Sequence, residues 1–208
     1  MRFLLISIFF ILLLTSCSLS TTKGLLEHAP NKEYIINNYF SNLEKDYIYK
    51  TKLQILKYHF GGILIIKKIG KDHHRVVFTT EFGNKLFDLE LIDNNFEVNF
   101  ILDKLNKKFI LKMLQHDFQT LLHQNNTINN QFSGKEEDIF QSNRDKYQNY
   151  YVFLKRSNDL NKIISASKNK EKLTITFSGI ERGVARSISL SHKKFNAAME
   201  LDYIGKKD

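Results

Sequence analysis

The period of hydrophobicity changes once, near Lys104, and that change constrains the fold more than any other feature of the chain. Before it, apolar residues recur at every second position. Val76, Phe78, Thr80 and Phe82 face one way and Arg75, Val77, Thr79 and Glu81 the other. Phe87, Leu89 and Leu91 continue the pattern against Leu86, Asp88 and Glu90, and Phe96, Val98 and Phe100 repeat it against Glu97 and Asn99. Gly83-Asn84 and Asp93-Asn94-Asn95 separate these runs, and both are turn chemistry because Gly and Asn tolerate positive φ. Three strands so joined make an antiparallel meander. After Lys104 the spacing becomes helical. Leu105, Phe109, Ile110, Met113, Leu114, Phe118, Leu121 and Leu122 share one side, with Lys104, Lys107, Lys108, Lys112, Gln115 and Gln119 opposite. A helix with one apolar stripe has to bury it, and the apolar face of the meander is the nearest surface.

The rest of the chain extends the sheet. Tyr47, Tyr49, Thr51, Leu53 and Ile55 alternate with Lys50, Lys52 and Gln54, and Gly61-Gly62 breaks the run before an apolar strand at 63–66. Alternation returns at 147–154, 162–166, 173–177, 186–190 and 198–204. Between the helix and these strands, residues 124–146 are rich in Asn, Gln, Glu and Asp and read as a flexible loop. Near the start, Asn31 caps a second helix running to about residue 45, with Tyr34, Ile35, Tyr39 and Leu43 on one side. About ten strands and one or two helices predict an α+β fold. It is a curled antiparallel sheet, an unclosed half-barrel, covered by helix and apolar on its concave side.

The first residues carry an address. Arg2 is a short positive start, and the apolar run at 3–14 is shorter than the roughly 20 residues that span a bilayer, so it reads as a signal-peptide core. Leu14-Thr15-Ser16-Cys17 resembles the bacterial lipobox, and Cys17 is the only cysteine in the chain. That resemblance implies removal of residues 1–16, acylation of Cys17, a lipidated tether over 17–30 ending at Pro30, and a single domain over 31–208. Ser18 in place of aspartate implies export to the outer membrane, facing the periplasm. With one cysteine, a disulfide within the chain is excluded. The 208 residues are 42% hydrophobic and 25% charged, the composition of a folded domain, and their net charge of +9 favours anionic partners. The lysines are spread along the chain, however, and export removes nucleic acid from reach.

The order of elements resembles the lipoprotein-localisation family, LolA and LolB. It resembles more closely an uncharacterised bacterial lipoprotein family of the same fold, through Arg75, Thr79, Gly83, Leu86, Phe87 and Leu89 and through the run Met113-Leu114-Gln115-His116-Asp117-Phe118-Gln119. The resemblance implies an unclosed barrel lidded by helices, with a cavity for a lipid or acyl chain. Val76, Phe78, Phe87, Leu89, Phe96 and Val98 would line that cavity, under a lid of Met113, Leu114 and Phe118. The LolB receptor also uses an apolar residue protruding from a loop. Here Lys71-Asp72, Gly83-Asn84 and Asp93–Asn95 are short and polar, so no such residue is expected. The alternative is a filled core in a lipoprotein that serves an envelope complex through protein partners.

Other chemistry finds little support. His73 and His74 are adjacent on a strand and diverge, and they read as turn-exposed, while His116 and His123 are seven apart on the helix. Asp88 and Glu90 read as a solvated outer face, and neither GxSxG nor a phosphate loop occurs. No enzyme, cofactor or metal is expected.

Overall fold

The computed structural model describes residues 19–205, so the readings on residues 1–18, Cys17 included, lie outside the described residues. Two short strands come first, β1 (Leu26–His28) and β2 (Tyr34–Ile36). A meander follows, made of β3 (Asp46–Ile55), β4 (Tyr58–Gly70), β5 (His73–Thr79), β6 (Lys85–Ile92) and β7 (Asn95–Ile101). Helix α1 (Lys108–Leu122) then leads to β8 (Asn125–Thr127), β9 (Asn130–Ser133), β10 (Glu137–Arg144) and β11 (Tyr147–Leu154). The chain finishes with β12 (Leu160–Ser167), β13 (Lys170–Glu181), β14 (Val184–His192) and β15 (Ala197–Tyr203).

Thirteen strands form one antiparallel sheet in the order β1-β9-β10-β11-β12-β13-β14-β15-β3-β4-β5-β6-β7, and β2 pairs β8 in a separate ribbon. The sheet is two meanders joined where Ala197 of β15 lies opposite Ile55 of β3. The connection from β7 to β9 therefore runs from one edge of the sheet almost to the other and has to cross a face. Helix α1 makes that crossing on the concave side. Its Leu114, Phe118 and Leu121 are 0% exposed and share one core with Val76, Phe78, Phe87 and Leu89 of the first meander and Ile163, Leu173, Ile175 and Phe177 of the second.

Four expectations are corrected. The strands of the large sheet beyond the expected ten are β1, β9 and β10, which lie in the segments read as tether and loop. Polar residues there are buried but bonded: Gln131 Oε1 accepts from Asn31 N at 3.1 Å and Gln141 Nε2 donates to Asn143 Oδ1 at 3.1 Å. Both faces of β10 are covered, which erases any alternation of apolar and polar. Residues 31–45 form no helix, because their side chains satisfy the local backbone instead. Asn37 Oδ1 accepts from Tyr39 N at 3.1 Å, Asn42 Oδ1 from Glu44 N at 2.8 Å, and Phe40 sits at φ 61. Gly61-Gly62 lies inside β4 rather than at a break, since a Cβ on Gly62 would stand 1.9 Å from Thr79 O of the neighbouring chain segment.

The tether reading changes most. Leu19 is 7% exposed and packs with Leu25 on Phe132, Ile139, Tyr150, Val152, Ile164 and Ala166, a second small core on the other face of β9–β12. Strand β1 pairs with β9, and Thr21 Oγ1 donates to Glu171 Oε1 at 2.6 Å. The described part of 17–30 is thus docked on the sheet.

Candidate functional site

The concave face of the sheet, closed by α1, is the candidate site. Six of the nine residues expected there, Val76, Phe78, Phe87, Leu89, Leu114 and Phe118, are 0% exposed. Successive strands bring them together in register, with Phe78 opposite Phe87 and Val76 opposite Leu89. The rings of Phe78 and Phe87 stand 5.4 Å apart, and Phe87 meets Phe118 of α1 at 5.9 Å and 64°. Met113 and Phe96 are half-buried against this core. Val98 is not in it: β7 is an edge strand, and Val98 and Phe100 are 39% and 42% exposed.

Sequence reasoning confined the lining to the first meander and missed the second. Ile175, Phe177 and Leu190 contribute as deeply as Phe78 does, and their alternation was visible as a sign. A plug from residues 37–40 was missed too. Tyr39 stacks on Phe177 at 4.3 Å and donates its hydroxyl to Leu160 O at 2.7 Å, and its phenol is pushed up by burial. Phe40, 1% exposed, offers its carbonyl to His74 Nε2 at 3.0 Å. A phenylalanine at positive φ is strained, and burial of its ring holds it there.

Side chains so fully enclosed leave little space between them. The interior is therefore filled along α1. A void of about 10 Å³ lies under Met113 and Leu114, bordered by Leu53, Leu190 and Met199, too small for an acyl chain.

The polar face of α1 differs. A cleft of about 320 Å³ separates it from the β10–β11 turn, with Lys112, His116, Arg144, Lys146, Tyr147 and Asn149 among its walls. His116 stacks on Tyr147 at 3.8 Å and 19°, and its Nε2 has no hydrogen-bond partner. Burial first, then His192, Lys146 and Arg144, pull its imidazole down to about 4, so it is neutral at pH 7. Beside it Asp117 faces His192 of β14 at 2.9 Å, and burial pushes its carboxyl up. Arg144 Nη2 donates to Asn94 Oδ1 at 2.8 Å, tying the β10–β11 turn to the β6–β7 turn. Asn37 Nδ2 caps the other end of the interior by donating to Leu121 O at 2.8 Å.

The remaining sites are structural. His73 and His74 do diverge, but neither is freely exposed: His73 Nε2 meets Glu90 Oε2 at 3.0 Å and His74 is 3% exposed. Asp88 is not solvated either. Arg75 donates to both its oxygens at 2.9 Å and Lys85 Nζ to Oδ2 at 2.8 Å, which together hold its carboxyl at about 2. The β5–β6 turn is not merely polar, because Phe82 leaves the strand and stands 93% exposed at its tip.

No protein-family model matches the chain, and no curated protein matches it. Solved structures do. A LolA superfamily protein from Nitrosomonas europaea superposes with a TM-score of 0.53 at 10% identity, over 83% of this chain and 90% of that one. A domain of an outer membrane lipoprotein-sorting protein from Vibrio parahaemolyticus gives a TM-score of 0.46 at 11% identity, over 77% and 83%. The large unclosed antiparallel sheet, with a single helix among the described residues, is a LolA-like fold.

Proposed function

We propose that this chain is a lipid-anchored outer-membrane lipoprotein, facing the periplasm, whose interior under α1 receives a lipid or the acyl chain of a lipidated molecule. The observation that carries this reading is the seating of α1: one helix spans a concave, largely apolar surface, and its N-terminal end has no side-chain cap. Lys107 at the N-cap makes no side-chain bond, and no acidic residue stands in the first turn. Lys107 and Lys108 place positive charge at the positive end of the helix dipole. Lifting that end would part Leu114 and Phe118 from Phe87 and open the filled core to hydrocarbon. Acylated Cys17 would be the anchor.

Phe82 supports transfer rather than storage alone. It is an apolar residue protruding from a turn, of the kind the LolB receptor uses, where the sequence reading expected none. Transfer needs no covalent step, because a chain moves to whichever apolar site buries it better.

The packed interior also favours a second reading, an interaction lipoprotein that acts on envelope proteins through its surface. Phe87→Ala and Met113→Ala separate the two, with stability read by urea unfolding and lipid binding by partition of a fluorescent acyl probe. The lipid reading expects probe binding to fall further than stability does. Full loss of stability, about 2–5 kcal/mol each, with no probe bound even by the wild type contradicts it.

A further inference from the structure

We infer that the rim formed by the β12–β13, β14–β15 and β3–β4 turns is a docking surface for an anionic lipid bilayer. Hairpin turns alternate between the two rims of a meander, and these three share one. They are tied side by side. Lys193 N donates to Lys172 O at 3.1 Å and Leu56 N to Asn196 O at 2.7 Å, and Asn196 Nδ2 returns a bond to Leu56 O at 3.2 Å.

Charge is the first argument. Lys168, Lys170, Lys172, Lys193 and Lys194 meet here, with Lys57 on the adjoining turn. Glu171 is the only acid among positions 168–172 and 193–196, and it is occupied. It accepts from Ser20 Oγ and Thr21 Oγ1, and Lys193 Nζ stands 3.7 Å away. Gathering this many ammonium groups around one carboxylate is repulsive unless a partner supplies negative charge.

Apolar residues make the second argument. Phe195 is 53% exposed at one turn tip and Leu56 41% exposed at the next. An aromatic ring set among lysines suits the headgroup boundary, where the ring enters the acyl region and the ammonium groups stay with the phosphates. An acidic protein surface would match the lysines but not these isolated apolar tips.

The described residues also begin at this rim. Ser20 and Thr21 are bonded to Glu171 of this same rim, and Leu19 is buried beside them. Cys17 lies two residues earlier, so an acyl anchor there would hold this rim against the bilayer. This argument rests on the proposed acylation; the first two do not.

The test uses the chain from Ser18 onward, without acylation, and vesicles of phosphatidylcholine with and without phosphatidylglycerol. Sedimentation with the anionic vesicles is expected, falling about fivefold for each of Lys193→Gln and Lys194→Gln and weakening with salt. Lys71→Gln and Arg156→Gln, in turns of the opposite rim, should leave it unchanged. The chain contains no tryptophan, so Phe195→Trp is a clean reporter whose emission shifts to the blue on anionic vesicles, whereas Ile69→Trp on the opposite rim should not shift. Equal loss from both rims, equal binding to neutral vesicles, or no binding at all overturns the proposal. Phe87→Ala should not alter the vesicle result, so a failure here is distinct from a failure of the lipid-cavity reading.

Discussion

The two faces of α1 have opposite physics. One presents Leu114, Phe118 and Leu121, all 0% exposed, to an interior whose void beside Leu114 is only about 10 Å³. The other looks onto a cleft of about 320 Å³ walled by Lys112, Arg144 and Lys146 around an imidazole with an unpartnered nitrogen. This open cleft is therefore polar and basic, whereas the apolar space under α1 is closed. Hydrocarbon could enter the space under α1 only if the helix moved, because the void there is about 10 Å³. What holds α1 down then sets how readily it binds.

The largest effect should come from the dry face. Phe118→Ala removes a ring that meets Phe87 at 5.9 Å, and it should cost about 3–5 kcal/mol in urea unfolding. A loss below about 1 kcal/mol would mean that this face is already loosely packed, and the contrast between faces would fail.

The pH dependence should come from the wet face. His116 is pulled to about 4, and burial also lowers His74 and His123. A histidine held neutral in the fold binds its proton less readily than in the unfolded chain. Stability should therefore be full above about pH 6.5 and fall as pH drops toward 4, by about 1–3 kcal/mol for His116. Asp117, whose carboxyl is raised by burial, has the opposite sign and favours the fold when protonated. His116→Gln should flatten the acid limb of a thermal-melt series. An unchanged profile would show that His116 is not buried against Tyr147 as described.

Smaller still is the expected response to removing the cleft's charge. Lys112→Gln and Lys146→Gln should change stability by no more than about 0.5 kcal/mol. Lys146→Gln should nevertheless raise the His116 titration above 4 in an NMR pH series, since Lys146 is among the groups that depress it. A static His116 would remove the electrostatic link between the cleft and the helix.

How legible this was depends on what each residue had to satisfy. From β5 to α1 the period picks out buried apolar residues such as Phe78, Phe87, Leu89 and Phe118, although it does not show that His74, Asp88 and Asp117 are buried beside them. The period says nothing of edges, and Val98 was misplaced because β7 has no neighbour to cover it. Phe82 kept the alternation in sequence but lies beyond β5, where the chain turns before Gly83. Between Gln124 and Lys146 the rule inverts: Asn126 is 3% exposed and accepts the Tyr151 hydroxyl at 2.6 Å, so a polar residue is core. Residues 31–45 failed for the same reason, since Asn37 bonds both Leu121 O and Tyr39 N, which a helix would not permit.

Native mass spectrometry with lipid extraction tests the central claim most directly, applied to the unacylated chain from Ser18 onward after incubation with phospholipid and lipopeptide. The account predicts one bound lipid per chain, lost or weakened in Met113→Ala under conditions where that variant stays folded. An apo mass alone, with no lipid retained from either source, would contradict it and leave the packed interior as an ordinary core.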